Sequence, residues 1–457
     1  MATTFTPSTR IGWNSSFGAL SIYHYVLSWV LTLSLVFFAC RGTFSFLMAA
    51  SGGITTSSLA APARQMGVLG YVILPGIAYS IAMWAIVSHL KSVFLVAFQM
   101  KILTLLALLT IVSAIWSQDP IRTSYNGVFY LVCTLFAFYL FLRFPATEIM
   151  TLVMMTGALV CVLGVFLVVF FPNAGLSNFE VRTAGAWKGM FLDRTTAGKC
   201  LTFLLSPALV FGYRKVKFRH VAYIGLLLTS IVMARAVTAM FVVFAYALFM
   251  IGLRISRRLE YRTALLLGVT TFSVCLLVAY FAVPLAADLF AAFGRDLTLT
   301  GRTQVWSAIM PSMSQRPLLG YGFYAFWLGM SGESGNVIRA AHWFFGYAHN
   351  GMLEIVLQLG LVGLVIFLIT FVNAVKDAAT CYRERSMGVD WYIGLLFLTV
   401  LYNIDEATVV WPTDLLSILY IVACCGLSGT ARRLKAESKL IAQTTSAYSY
   451  LINPQAI

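Results

Sequence analysis

"GYAHNGMLEIVLQLGLVGLVIF" runs from Gly346 to Phe367. Its second half is greasy enough to enter a membrane. Its first half sets His349 and Asn350 at the doorstep of that apolar helix. A membrane helix needs about 20 mostly apolar residues, and windows of this kind recur along the whole chain. The 457 residues are 60% hydrophobic and only 10% charged, whereas a soluble domain carries roughly 25% charged residues. The composition excludes an ordinary soluble protein and predicts an all-α polytopic membrane protein.

Twelve windows qualify as spans, near 20–40, 68–89, 93–116, 125–142, 149–171, 196–212, 221–236, 237–253, 263–283, 351–373, 391–405 and 411–428. The pair 221–253 is continuous in hydropathy but holds Arg235 in its middle. One helix of that length would reach about 50 Å at 1.5 Å per residue, so two helices with Arg235 at the hairpin tip fit better. The first window has no small-residue cleavage site after it and reads as an uncleaved span. Most cysteines lie in apolar stretches and none forms a C-x-x-C pair, so neither a metal knuckle nor a disulfide framework is expected.

The net charge of +15 would suggest nucleic acid in a soluble protein. Here the positive-inside bias supplies most of it, and no nucleic-acid partner is expected. Basic clusters at Arg214–Arg219, Arg254–Arg262, Lys376–Arg385 and Arg432–Lys439 fall on one side in the twelve-span layout. That side is then cytoplasmic, with both termini inside. Residues 1–283 carry the first nine spans and 284–350 form a large, partly helical periplasmic loop. Residues 351–430 carry the last three spans, and 431–457 form a cytoplasmic tail. In the loop, 302–316 reads as a helix that Pro311 ends or kinks, followed by the Gly-punctuated aromatic stretch "PLLGYGFYAFW".

His349 therefore faces outward at a helix N-terminus, where free N–H groups and the helix dipole favour anions. Asn350 fits an N-cap and Glu354 suits the first turn. Three arginines join His349 on that side: Arg235 at the hairpin tip, Arg302 opening the loop helix, and Arg194 in "WKGMFLDRTTAGKC" beside Lys188 and Lys199. An arginine held near hydrocarbon usually serves a function. Guanidinium forks match phosphate oxygens and stabilise charge on a leaving phosphate, and a neutral histidine can take a proton from a hydroxyl. The set suits a pyrophosphate on a lipid-linked sugar. No D-x-D, H-E-x-x-H or phosphate-loop motif occurs, so no metal or other cofactor is expected. Asp405 and Glu406, at the outer end of the eleventh span, are the best carboxylate candidates, although a polar hairpin tip is the plainer reading.

"GRTQVW", "RPLLGYGFYAFW" and "YAHNGMLEIVLQLGLVGLVIF" together resemble the signature of the O-antigen ligase and Wzy-type polysaccharide polymerase superfamily. The matching positions are Gly301, Arg302, Trp306, Pro317, Leu318, Gly320, Gly322, His349, Asn350, Leu353, Glu354, Leu359, Gly360 and Gly363. "MARAVTAM" is similar to the family's hairpin arginine. "KGMFLDRTTAG" matches an earlier basic element, with Thr195 where the family has Asn. "WSQDP" at 116–120 looks like a structural turn of the family's N-terminal half. That half is most similar to exopolysaccharide polymerases of the succinoglycan type (ExoQ-like).

The resemblance implies metal-independent, inverting transfer of an undecaprenyl-diphosphate-linked oligosaccharide at the periplasmic face of a bacterial inner membrane. His349, Arg302 and Arg235 would be catalytic, and Arg194, Lys188, Asn350 and Glu354 would bind substrate. Polymerisation into exopolysaccharide is the expected outcome. Ligation of the glycan to lipid A core is the alternative, and a transporter or flippase of lipid-linked sugars is a reading of another class. Expected partners are the lipid-linked oligosaccharide, the bilayer, and other polysaccharide assembly and export proteins.

Overall fold

The computed structural model describes residues 19–40, 73–177, 184–211, 218–259, 263, 302–341 and 345–452. The expected ninth span at 263–283, the first part of the long loop and the last residues of the tail lie outside the described residues. Most of the described residues are helical. In order come α1 (Ala19–Ala39), α2 (Leu74–Ser88), α3 (Leu90–Gln99), α4 (Lys101–Val112), α5 (Pro120–Arg143), α6 (Ala146–Phe170) and the short α7 (Pro172–Gly175). A two-residue antiparallel pair, Leu176–Ser177 with Ala186–Trp187, follows. Then come α8 (Arg194–Phe211), α9 (Phe218–Met233), α10 (Val237–Ser256), α11 (Arg302–Gln315), α12 (Gly332–Ala341), α13 (Gly351–Cys381), α14 (Met387–Asp405) and α15 (Leu415–Ile452).

Six described helices are long and apolar enough to cross a membrane: α5, α6, α10, α13, α14 and α15. His24–Ala39 of α1, Lys101–Ile115 and α9 are shorter apolar helices. This is a multi-pass membrane protein, and the count of twelve spans is not reproduced among the described residues. The third expected window, 93–116, is not one rod. α3 is bent by 87° from α2, and the chain breaks again at Met100 before α4. α3 buries only Val93, Val96 and Ala97, while Phe94, Leu95 and Phe98 stay exposed. α11 likewise runs through Pro311 to Gln315. Pro311 and Ser307 both lie on its exposed face, where the carbonyl that loses its partner can turn to water.

The two ends of the bundle differ. At one end Arg432 donates to Gln99, Arg433 stands 3.6 Å from Glu384, Arg257 pairs with Asp390 and Arg385 donates to the Arg257 carbonyl at 3.1 Å. Described members of three of the basic clusters, around Arg257, Arg385 and Arg432, thus share one end; the cluster beginning at Arg214 lies mostly outside the described residues. The start of α8, the Arg235 hairpin and the His349 loop lie at the other.

A break in α13 ties the long loop to the bundle. Gly360 has φ 66° and ψ −168°, a conformation essentially reserved for glycine. A helix broken there leaves the Leu357 and Gln358 carbonyls, and the Leu361 and Val362 amides, without their i to i+4 partners. The loop supplies all four. Tyr321 and Gly322 donate to the two carbonyls at 2.9 and 3.0 Å, and the two amides donate to the Pro317 and Leu318 carbonyls at 2.8 and 3.2 Å. Irregular backbone at membrane depth survives only when such groups are satisfied. On its other side the loop is gripped by the 116–120 turn. Gln118 donates to Ala325 and Phe326 at 2.6 and 3.1 Å, and the Trp116 indole donates to the Leu319 carbonyl at 2.9 Å.

A Cβ on Gly360 would stand 2.1 Å from the Leu318 carbonyl oxygen. Gly360→Ala therefore combines a clash with a forbidden dihedral and should cost about 2 kcal/mol or more. Gly225→Ala, where a Cβ meets nothing within 4 Å, is the matched control. Melting of the two purified variants checks this, with a clear drop expected for the first alone.

Candidate functional site

The site is built around one carboxylate. Glu406 caps the C-terminal end of α14 and is 1% exposed. Its Oε2 accepts from Lys199 Nζ and from the Tyr347 hydroxyl, each at 3.0 Å. Its Oε1 faces Arg302 and His349, with the guanidinium and Nδ1 each 3.5 Å away. Burial alone would push the Glu406 carboxyl up. The charge of Lys199 and the contact with His349 outweigh that and hold it well below the ordinary carboxylate range. Four segments meet here: α8 brings Lys199, α11 brings Arg302, the loop before α13 brings Tyr347 and His349, and the α14–α15 turn brings Glu406.

Local structure explains each placement. Asn350 is the N-cap of α13, accepting from the Met352 and Leu353 amides at 3.0 and 3.1 Å. Its amide group also donates to the Ile404 carbonyl at 3.2 Å, which ties the His349 loop to the end of α14. His349 itself sits at φ 50°, a conformation uncommon outside glycine and typical of functional positions. Ala348, just before it, is held through both its amide and its carbonyl. Its amide donates to Glu354 Oε2 at 2.7 Å, and its carbonyl accepts from the Trp306 indole at 2.9 Å.

Arg302 and Trp306 are one helical turn apart on α11, so they share a face. One reaches Glu406 and the other anchors the histidine loop. Glu354 is buried and fully engaged. Besides Ala348 it accepts from the Trp327 indole at 3.0 and 3.1 Å and from the Gln358 amide at 2.5 Å. Asn350 and Glu354 thus both spend their polar atoms on holding His349 in place.

The remaining expected cations form a second group at the same end of α8. Arg235 lies between α9 and α10 at φ 49°. Arg194 donates to its carbonyl at 2.9 Å, and Arg235 donates to Ala184 at 3.4 Å. The hairpin packs directly on α8, since a Cβ on Gly198 would come within 2.4 Å of the Ala236 Cβ. Lys199 is the next residue, so the two groups are neighbours joined through α8. Lys188 is half-buried in the strand-and-turn segment beside them. Burial lowers its pKa, and Asp193 opposes that.

Lys199, Tyr347 and the central role of Glu406 are not evident from the motif reading. Lys199 does carry a signal, as an ionisable residue set in the apolar run of α8.

Residues 222–368 match a family model described as O-Antigen ligase (Wzy_C). The match includes Arg235, Arg302, His349, Asn350 and Glu354, and leaves Lys188, Arg194, Lys199 and Glu406 outside. The chain is also 30% identical over 130 residues to the exopolysaccharide production protein ExoQ of Rhizobium meliloti (strain 1021), covering 26% of this chain and 29% of that relative. The alignment thus spans less than a third of either protein.

Removing Glu406 leaves Lys199 buried beside Arg302 without a counter-charge. Glu406→Ala should cost about 3–5 kcal/mol, read as a lower melting temperature. Because the folded carboxyl is held below its unfolded value of about 4.3, its stabilisation is complete above that pH and is lost as pH falls below it. Glu406→Gln should remove this share of the acid-side decline, read by comparing the melting of the two proteins below and above about pH 4.3.

Proposed function

We propose, from the match of residues 222–368 to an O-Antigen ligase (Wzy_C) model and from the convergence of Arg302 and His349 of that region on Glu406, that the chain polymerises undecaprenyl-diphosphate-linked oligosaccharide repeats into exopolysaccharide. The reaction is an inverting glycosyl transfer at the periplasmic face of the inner membrane. One observation carries the reading: a histidine and an arginine on separate segments converge on one buried carboxylate, with further cations next door.

In this scheme Nδ1–H of His349 faces Glu406, which leaves Nε2 as the base. An ionised carboxylate behind an imidazole orients the ring and stabilises the imidazolium as it forms. Nε2 takes the proton from an acceptor sugar hydroxyl as that oxygen bonds to the anomeric carbon. The bond from the anomeric carbon to the diphosphate oxygen breaks, and the lipid diphosphate leaves with the electron pair. Arg302 and Arg235 hold the diphosphate and offset its growing charge, with Arg194 and Lys188 as further cations. Fixed cations at the leaving group account for charge stabilisation with no metal. Asn350 and Glu354 act by positioning His349.

The relative named for exopolysaccharide production favours the polymerase. The family description, O-Antigen ligase, favours transfer to lipid A core. The same cluster serves either reaction, because the donor is the same and only the acceptor differs.

His349→Ala and Arg302→Ala, each present at normal level in membranes, should lower polymer formation by about 10²-fold or more. Sizing the lipid-linked and secreted glycans checks this. Accumulated single repeats would support a polymerase. Full-length lipid-linked polymer that never reaches lipid A core would point to a ligase. Normal polymer from both variants would reject the assignment and favour a transporter or flippase.

A further inference from the structure

The end of the bundle away from Glu406 holds a feature that glycan transfer does not use. A cavity of about 490 Å³ opens between the last turn of α13, the turn after it and the outer part of α15, lined by Thr380, Arg383, Glu384, Leu434, Lys435 and Ser438. Its carboxylate is already engaged. Glu384 lies 3.6 Å from Arg433, which also stands 3.7 Å from Glu437. The neighbouring cations are engaged as well: Arg257 with Asp390, Arg385 with the Arg257 carbonyl and Arg432 with Gln99.

Arg383 and Lys435 differ. Among the described residues their side chains make no ion pair or hydrogen bond, and both line the cavity. The Thr380 hydroxyl gives its hydrogen to the Lys376 carbonyl at 3.0 Å, which leaves its oxygen as an acceptor. Ser438 lies one turn from Lys435 on the same face of α15.

We infer that this cavity binds a phosphate-bearing group. The guanidinium fork of Arg383 matches two phosphate oxygens, and the Lys435 ammonium supplies a second charge. The Ser438 hydroxyl donates, the Thr380 oxygen accepts from a hydroxyl of the ligand, and Leu434 offers an apolar wall. The depth suits a lipid headgroup. Thr380 lies roughly 40 Å along α13 from its start, beyond a hydrocarbon core of about 30 Å. The concentration of basic residues at this end marks it as the cytoplasmic one. The phosphate could come from an anionic lipid of that leaflet or from a soluble phosphate compound.

The test uses the purified full chain carrying Arg302→Ala and Arg235→Ala, so that the diphosphate site proposed at the other end does not bind the probes, and three probes: dioctanoyl phosphatidylglycerol, inorganic pyrophosphate and, as the phosphate-free control, dioctanoylglycerol. Binding is measured by thermophoresis. A phosphate probe should bind and the control should not. Arg383→Gln and Lys435→Gln should each weaken binding roughly fivefold. Ser438→Ala and Thr380→Val should weaken it with no change in charge. Lys439→Gln, one residue beyond the cavity lining, should leave it unchanged. Binding of the phospholipid alone assigns a lipid headgroup, and displacement by pyrophosphate assigns a soluble ligand. Absence of binding by both phosphate probes overturns the proposal. So does an equal loss in Lys439→Gln with none in Ser438→Ala, which would mean diffuse surface charge.

Discussion

A carboxylate buried at the end of an apolar bundle costs several kcal/mol unless it is paired and hydrogen-bonded, and the arrangement around Glu406 follows from that constraint. Its two oxygens are divided. Oε2 is saturated by Lys199 and Tyr347, and Oε1 is left to Arg302 and His349. Satisfying this one group brings α8, α11, the His349 loop and the α14–α15 turn to one point. One carboxylate also faces two permanent cations, so the cluster keeps positive charge, and Arg194, Arg235 and Lys188 add to it nearby. Such a surplus suits the diphosphate chemistry proposed for this end.

The histidine is useful only if its backbone is held, and most of the polar machinery near it serves that end. Ala348 is fixed through both its amide and its carbonyl, and Asn350 bridges the α13 start to the end of α14. The loop that carries Arg302 and Trp327 is in turn fixed by the break at Gly360. Two helix hydrogen bonds are replaced there by four bonds to the loop. The glycines of "PLLGYG" and of "LQLGLVG" are therefore two sides of one joint. A Cβ on Gly320 would stand 2.7 Å from the Leu357 carbonyl oxygen, just as one on Gly360 would strike Leu318. The loop can be long without being loose because its backbone completes a helix of the bundle.

The division of charge between the two ends has a comparable logic. At the basic end, arginines bind carbonyls and carboxylates of neighbouring turns, knitting α3, α10, α13, α14 and α15 together. At the other end, cations gather around a single carboxylate and a hairpin tip. The same residue type ties turns together at one end and, in the proposed reaction, also holds substrate at the other.

Periodicity and hydropathy by themselves determined that the chain is a helical membrane protein, roughly where most of its described apolar helices lie, and that Arg235 tops a hairpin. They did so because each depends on local composition and on the cost of placing charge in hydrocarbon. The motifs likewise marked Arg302, His349 and the glycines. What only the tertiary structure decided is which of these residues share a point in space. Lys199 and Glu406 are 207 positions apart, and no local pattern joins them. Their pairing follows from how α8 and α14 pack. The double role of Gly360, as residue and as gap in a helix, also needed the loop in place, since a broken helix is stable only when another segment completes its hydrogen bonds.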